Sequence, residues 1–428
     1  MFNIGAPNFF NQFNFMANKI LNQLISGALL VSLSCSKPAE PKVEETPIPT
    51  LELGLPVETL AANTNYKPAY TGQTRIGSIK TKTPIQFKII SSALANPWGI
   101  APLPNAQFLI TEKAGSMRIA NSQGVLSTAI AGIPAVNSSG QGGLLGLLVD
   151  PNFGSNRMVY WAYSENAAGG TLTAVAKGRL SDDEKAMENV KVIYRANSAH
   201  ASSLHFGARI VMDVSGNLLI CLGERSSLST RVLAQSVSSS WGKVIRITTD
   251  GSPAPGNPIF EGVGALPELF SIGHRNPQGL AIHPISGEVW LSEFGPRGGD
   301  EVNRLQAGKN YGWPTITYGI EYGGQTIGAG IQQKEGMEQP VYYWDPSVSP
   351  SGMTFYKGNR VPEWQNNLFI GALSATHIIR LHIGNNTVMG EERLLASEGQ
   401  RFRDICQGTD GALYAITDAG RLYKIDKE

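Results

Sequence analysis

The chain has 428 residues, with 48 glycines and 25 prolines, and its 35 basic side chains nearly match its 34 acidic ones, for a formal charge of +1. So even a balance excludes the basic field that nucleic acid or an acidic polymer would demand. The composition is turn-rich without the period of collagen or the bias of a disordered chain, which leaves one large all-β domain or two smaller globular ones.

At the N-terminus Met16-Ala-Asn-Lys19 is weakly basic, and Ile20 to Leu33 is an apolar run too short for a confident membrane span. Residues 1–15 are expected to precede the natural start, because Met16 opens a more ordinary secretory signal. Small Ser34 stands before Cys35, so residues 1–35 read as a signal peptide of lipoprotein type, with Cys35 as the lipidated first residue. Ser32 stands where such signals usually carry leucine, and a plain cleaved signal with an incidental cysteine is the alternative. The expectation is an exported protein, periplasmic or on the outer membrane of a bacterium, that touches membrane only through Cys35.

Residues 36–75 read as an extended linker. Pro38, Pro41, Pro47, Pro49 and Pro56 alternate with Glu40, Glu44, Glu45, Glu52 and Glu58, and such a stretch buries too little apolar surface to fold alone. Two further cysteines, Cys221 and Cys406, are far apart in sequence. An exported compartment permits a disulfide between them, but two buried small apolar residues describe them as well.

From about residue 90 one pattern recurs six times: an apolar segment, a turn with Pro, Asp, Asn or Gly, then an apolar strand ending in a small or acidic residue. The copies are Trp98–Glu112, Leu144–Tyr163, Arg209–Leu222, Gly279–Glu293, Met353–Gly371 and Asp404–Asp418. Each is a β-hairpin signature, and six copies give roughly 55–60 residues per unit, enough for a four-stranded blade and a long loop. A hairpin cannot bury its faces alone, so the units must stack and close. Residues 76–428 therefore predict an all-β fold, a six-bladed β-propeller of four-stranded antiparallel blades, rather than a pair of β-sandwiches. Ligands of such a fold sit at one mouth of the channel, on the loops between repeats.

Those loops are richer in glycine and polar residues than turns need. They carry Gly140-Gln-Gly-Gly-Leu-Leu145, His205-Phe-Gly-Ala-Arg209, Gly273-His-Arg-Asn-Pro-Gln-Gly279, Glu293-Phe-Gly-Pro-Arg-Gly-Gly-Asp-Glu301, Asn310-Tyr-Gly-Trp-Pro314, Trp344–Gly352 and Arg401-Phe-Arg-Asp404. In order and spacing, from about Pro97 onward, this set resembles the soluble glucose and aldose sugar dehydrogenases that use pyrroloquinoline quinone (PQQ).

The resemblance implies oxidation of an aldose at C1 to its lactone, with PQQ and Ca²⁺ as cofactors and an external electron acceptor. It gives His205 the role of catalytic base, a task that suits an imidazole titrating near working pH. It gives Arg275, Asn276, Arg401 and Arg403 to the cofactor, whose three carboxylates match guanidinium donors. It places Gln141 near the reacting centre and Trp344 as an aromatic over cofactor or sugar. The backbone carbonyls of Gly295 and Pro296 are the implied Ca²⁺ ligands. Taken without the resemblance, His205 reads as a structural hydrogen-bonder, the arginines as salt bridges, Gly295-Pro296 as a tight turn and Trp344 as core. Of the other histidines, His274 is the one expected to pack beside the site. Asp300 and Glu301 are expected to brace their loop.

Two positions depart from the family pattern. Leu204 stands where glucose-oxidising members carry an acidic residue, and Ser374 stands where the family usually has a lysine for the cofactor. The missing cation at Ser374 predicts weaker or differently arranged PQQ binding, and the two departures together keep open a non-catalytic propeller that binds a glycan or protein through a decayed site. A calcium-dependent lactonase is the third reading, but no converging carboxylate and amide set is visible for it. There is no Cys-x-x-Cys-His haem motif and no dinucleotide fingerprint between strand and helix.

Overall fold

Leu218, Ile220 and Leu222 point to one side of their strand and Leu219 and Cys221 to the other, and all five are buried. A strand apolar on both faces must lie between two neighbouring sheets. The computed structural model, which describes residues 51–428, repeats that principle in every blade. The expected signal peptide, Cys35 and residues 36–50 of the expected linker lie outside the described residues.

Six antiparallel sheets follow one another along the chain. Blade 1 holds Pro97–Leu103, Gln107–Glu112 and Ser116–Ala120, extended by a single bridge from Ala120 to Leu126. Blade 2 is Leu144–Val149, Met158–Ala167, Gly170–Leu180 and Met187–Arg195. Blade 3 is Ile210–Met212, Leu218–Leu222, Lys243–Ile247 and Leu269–Ile272. Blade 4 is Pro277–Ile282, Val289–Glu293, Asp300–Leu305 and Tyr342–Trp344. Blade 5 is Pro350–Phe355, Leu368–Ala372, Ile378–Gly384 and Thr387–Leu394. Blade 6 is Phe402–Gln407, Leu413–Thr417 and Leu422–Lys427, completed by Ile85–Ser91 from the start of the domain. Phe87 opposite Ile425 fixes the register of that closure. The fold is a six-bladed β-propeller, with its ends zipped into one blade and blade 1 one strand short.

Six apolar clusters fill the six blade interfaces. Trp161 and Leu109 lie between blades 1 and 2, Ile220 and Val175 between 2 and 3, Leu291 and Cys221 between 3 and 4. Trp290 and Ile370 join blades 4 and 5, Phe369 and Phe402 blades 5 and 6, and Ile416 and Phe108 close blade 6 onto blade 1. Cys221 and Cys406 belong to different interfaces and are both free and buried, which settles them as packing residues.

The innermost strands ring the axis, and they stand close. A Cβ on Gly146 would collide with the Ala208 carbonyl, and one on Gly352 with the Asp404 carboxylate. Across the axis, Arg209 of blade 3 donates to Asp404 of blade 6 at 2.6 Å, with Arg209 Nε on the Gln278 carbonyl at 2.9 Å. Both side chains are buried, and the guanidinium lies 4.3 Å from the Trp98 ring centroid. This pair bridges the channel between its two mouths.

Residues 51–75 run mostly without regular structure along the propeller. Asp345 receives the backbone N–H groups of Asn63 and Thr64 at 2.9 and 3.0 Å, and Glu58 pairs with Arg393 at 2.7 Å. No helix among the described residues is long and apolar enough to cross a membrane.

Candidate active site

Two cavities share one mouth of the channel. The inner one, about 260 Å³, is floored by Trp98, Phe206 and Gln278 and rimmed by Lys113, Arg403 and Asp418. The outer one, about 490 Å³, is lined by His205, Arg275, Pro296, Arg297 and Tyr322 among others. Gln141, Phe294, Leu373 and Arg401 line both, so the two are lobes of one depression.

His205 reaches this depression because the chain before blade 3 is bent. Its φ is +49°, and Gly207 and Ala208 follow at +67° and +79°. Left-handed backbone is disfavoured for ordinary residues, and histidine is among the few that tolerate it. The Gln141 side-chain oxygen holds the bend by accepting the His205 backbone N–H at 2.8 Å. The imidazole is then fixed by Glu224, whose carboxylate accepts from Nδ1 at 2.7 Å. An ionised carboxylate only accepts, so Nδ1 carries the proton and Nε2 keeps its lone pair. Burial and the nearby Arg275 charge hold the imidazole down to about 4, against the opposing pull of Glu224. His205 is thus a neutral imidazole held in one orientation.

Glu224 is the residue the sequence reading missed. The signal was present: Glu112 and Glu293 end the second strands of blades 1 and 4, Glu224 and Asp418 stand one or two residues past those of blades 3 and 6, and each carboxylate holds the loop beside it. Glu112 accepts from Ala95 N, Glu293 from Arg275 N and His274, and Asp418 from Arg401 and Arg403. His274 is spoken for on both ring nitrogens, by Glu293 and Ser271, and stacks on Tyr311.

Arg275 and Asn276 lie just before blade 4 and stand beside His205. Arg275 sends Nη1 to the Gly295 carbonyl at 2.7 Å, and Asn276 Oδ1 accepts from Gly207 N at 3.1 Å. Arg275 Nε and Asn276 Nδ2 are buried donors without a partner, a costly state that a bound acceptor would relieve. Arg401, just before the first strand of blade 6, and Arg403, on that strand, both line the inner lobe and share Asp418 at 2.9 and 2.8 Å. They are ion-paired and near the cavity at once. Lys113, whose ammonium donates to the Gly140 carbonyl, adds a cation the sequence reading did not pick out. Burial and the neighbouring Arg403 lower its pKa, with Asp418 opposing.

Gly295 and Pro296 line the outer lobe, on a loop held by Asp300. That buried carboxylate accepts from Gly295 N, Val348 N and Ser349 N, each at 2.7 Å, and burial pushes its pKa up to about 6. Ser374 also lines the lobe, bonded to Ser349 at 2.9 Å. Leu204 stands partly exposed outside the lining of both lobes. Trp344 is a correction. It lies on the outer strand of blade 4, 3% exposed, packed edge-on against Tyr342 and among Val348 and Met353 between blades 4 and 5. It lines neither lobe, because the outer strand of a blade is far from the axis.

The model of the glucose/sorbosone dehydrogenase family matches residues 94–424, all six blades. The chain belongs to that family. It is 41% identical over 346 residues to an aldose sugar dehydrogenase of Escherichia coli, covering 80% of this chain and 92% of that one. The crystal structure of the soluble aldose sugar dehydrogenase from Escherichia coli, in the apo form, superposes with a TM-score of 0.76 at 40% identity, over 80% of this chain and 100% of that one. The PQQ-bound aldose sugar dehydrogenase of Streptomyces coelicolor gives 0.65 at 26% identity, over 81% and 99%. In this glucose/sorbosone dehydrogenase fold, His205 and Arg275 line the outer lobe, with Glu224 and Asn276 buried beside them.

Proposed function

We propose that this protein oxidises an aldose at C1 to its lactone, using bound PQQ beside Ca²⁺, and passes the electrons to an external acceptor. The observation that carries this is the His205–Glu224 pair at the edge of a depression that Arg275 lines, with Asn276 buried beside it and both holding unpartnered donors. PQQ, held by Arg275, Asn276, Arg401 and Arg403, would supply an electrophilic carbon suited to accept the C1 hydrogen as hydride. His205 Nε2 takes the proton of the C1 hydroxyl, so the sugar loses two electrons and two hydrogens and becomes the lactone. Glu224 keeps the imidazole in the basic tautomer and stabilises the charge it gains. The guanidinium groups of Arg275, Arg401 and Arg403 suit the three carboxylates of the cofactor, and its likeness to a PQQ-bound relative supports that choice.

Calcium fits less completely. The Gly295 and Pro296 carbonyls are two oxygens where Ca²⁺ takes six to eight, and they already accept from Arg275 and Ser347. No cluster of three His, Cys, Asp or Glu side chains suited to a metal stands among the described residues. Ca²⁺ there would depend on oxygens from the cofactor. The sequence of residues 1–35 further supports an exported protein anchored through Cys35.

The test is dye reduction by the PQQ- and Ca²⁺-loaded protein across a panel of aldoses, with the lactone identified directly. His205→Ala should retain the cofactor and lose turnover. A loaded wild type that oxidises no aldose would favour the reading as a binding propeller.

A further inference from the structure

The outer lobe presents one cation that neither the base nor the cofactor reading uses. Arg297 is exposed on the loop after Pro296 and lines the same lobe as His205. Its backbone N–H is fixed on the Ile320 carbonyl at 3.1 Å. Its Nε donates to Asn63 Oδ1 at 2.9 Å, and Asn63 is itself held by Asp345, at 2.7 Å through its amide nitrogen. Among the described residues the two terminal nitrogens of Arg297 have no hydrogen-bond partner. The guanidinium is thus held at its root and free at its fork. A segment that precedes the family's matched residues, 94–424, supplies that hold.

The charge around the depression is uneven in the same direction. Lys113, Arg275, Arg297, Arg401 and Arg403 line the two lobes against one carboxylate, Asp418. The carboxylates just behind the lining, Glu224, Glu293 and Asp300, are each met by backbone N–H groups. Three cofactor carboxylates and Asp418 would balance four of the five cations, and the one left over is Arg297, distant in sequence from the Arg401–Arg403 pair. No acidic side chain lines the outer lobe to repel an anion. A free arginine fork matches a carboxylate edge.

We infer that the sugar taken by this site carries a carboxylate, as a uronic acid does at C6, and that Arg297, positioned by Asn63, is the residue that selects it. This rests on the lobe being the sugar site. Binding at Arg297 would hold the far end of the pyranose while C1 faces His205, so the charge fixes orientation as well as affinity.

Methyl β-D-glucuronide and methyl β-D-glucoside differ only at C6 and cannot be oxidised at C1, which makes them probes of binding alone. Both are titrated calorimetrically into the full-length protein loaded with PQQ and Ca²⁺, and used as competitors of aldose-dependent dye reduction. The expected result is a glucuronide that binds at least tenfold more tightly, a charge-assisted contact corresponding to a ten- to hundredfold effect. Arg297→Gln should collapse that ratio, and Asn63→Ala should lower it in part by freeing the guanidinium. Equal binding of the two glycosides within twofold in the wild type would overturn the inference, and so would a ratio that survives in Arg297→Gln. Absence of turnover with every aldose would sink the dehydrogenase reading instead, while the calorimetric ratio would still decide for or against an anion-selecting Arg297.

Discussion

His205 and Glu224 are 2.7 Å apart, both buried, and nineteen positions apart in the chain. The contact fixes the imidazole tautomer, so its loss is expected to be chemical rather than architectural. Glu224→Gln offers an amide that can donate to Nδ1 and leave the proton on Nε2. The expected outcome is a fall in kcat of a hundredfold or more, within the range of general-base effects, with PQQ affinity retained by fluorescence titration. A variant with near-normal kcat would remove Glu224 from the mechanism.

The pH behaviour follows from the same burial. With its pKa lowered to about 4 in the folded protein, against about 6.5 when unfolded, His205 binds no proton between those values while the unfolded chain does. Stability should therefore fall as pH drops from about 6.5 towards 4. His377, also lowered to about 4 by burial, has the same sign. NMR titration of the cofactor-free protein should show the His205 ring neutral down to about pH 5, and His205→Ala should flatten part of the acid loss of stability. Protonation of that ring near 6.5 would contradict the buried environment described.

Arg401 and Arg403 share Asp418 yet line the inner lobe, whereas Trp344 is bound up in a blade interface. Arg401→Gln and Arg403→Gln should each weaken PQQ binding by about ten- to a hundredfold. Trp344→Phe should leave that affinity within twofold and lower the unfolding free energy, because it removes buried ring volume from the core. Loss of PQQ binding in Trp344→Phe would reverse this assignment.

Across the channel, Arg209 and Asp404 are paired at 2.6 Å with both side chains 6% exposed. Removing one partner strands a buried charge, which costs about 3–5 kcal/mol. Asp404→Ala should show that loss in urea melts. The double change to apolar residues should recover much of it.

What the sequence made legible follows from which forces act locally. The propeller could be read because each blade must bury both faces of its second strand, and that demand repeats as apolar runs such as Leu218 to Leu222. The loops holding His205, Arg275 and Asn276 could be read because seven motifs stand in the order and spacing of a known family. Glu224 was hidden because its partner lies on another loop, and only the recurrence of an acidic residue at or just past the end of second strands hinted at it. Trp344 was misplaced because an aromatic next to a proline- and serine-rich loop reads alike whether it faces the axis or the blade interface. Arg297 and Asn63 were hidden for a different reason. Their pairing spans 234 positions and joins the family core to a segment before it.

The most direct test of the account is an equilibrium titration of cofactor-free protein with PQQ, in the presence and absence of Ca²⁺, followed by tryptophan fluorescence. The account predicts saturable binding of one PQQ per chain, tightened by Ca²⁺ and weakened in Asn276→Ala, whose buried amide would find its acceptor in the cofactor. No saturable binding at high micromolar PQQ, with or without Ca²⁺, would contradict it.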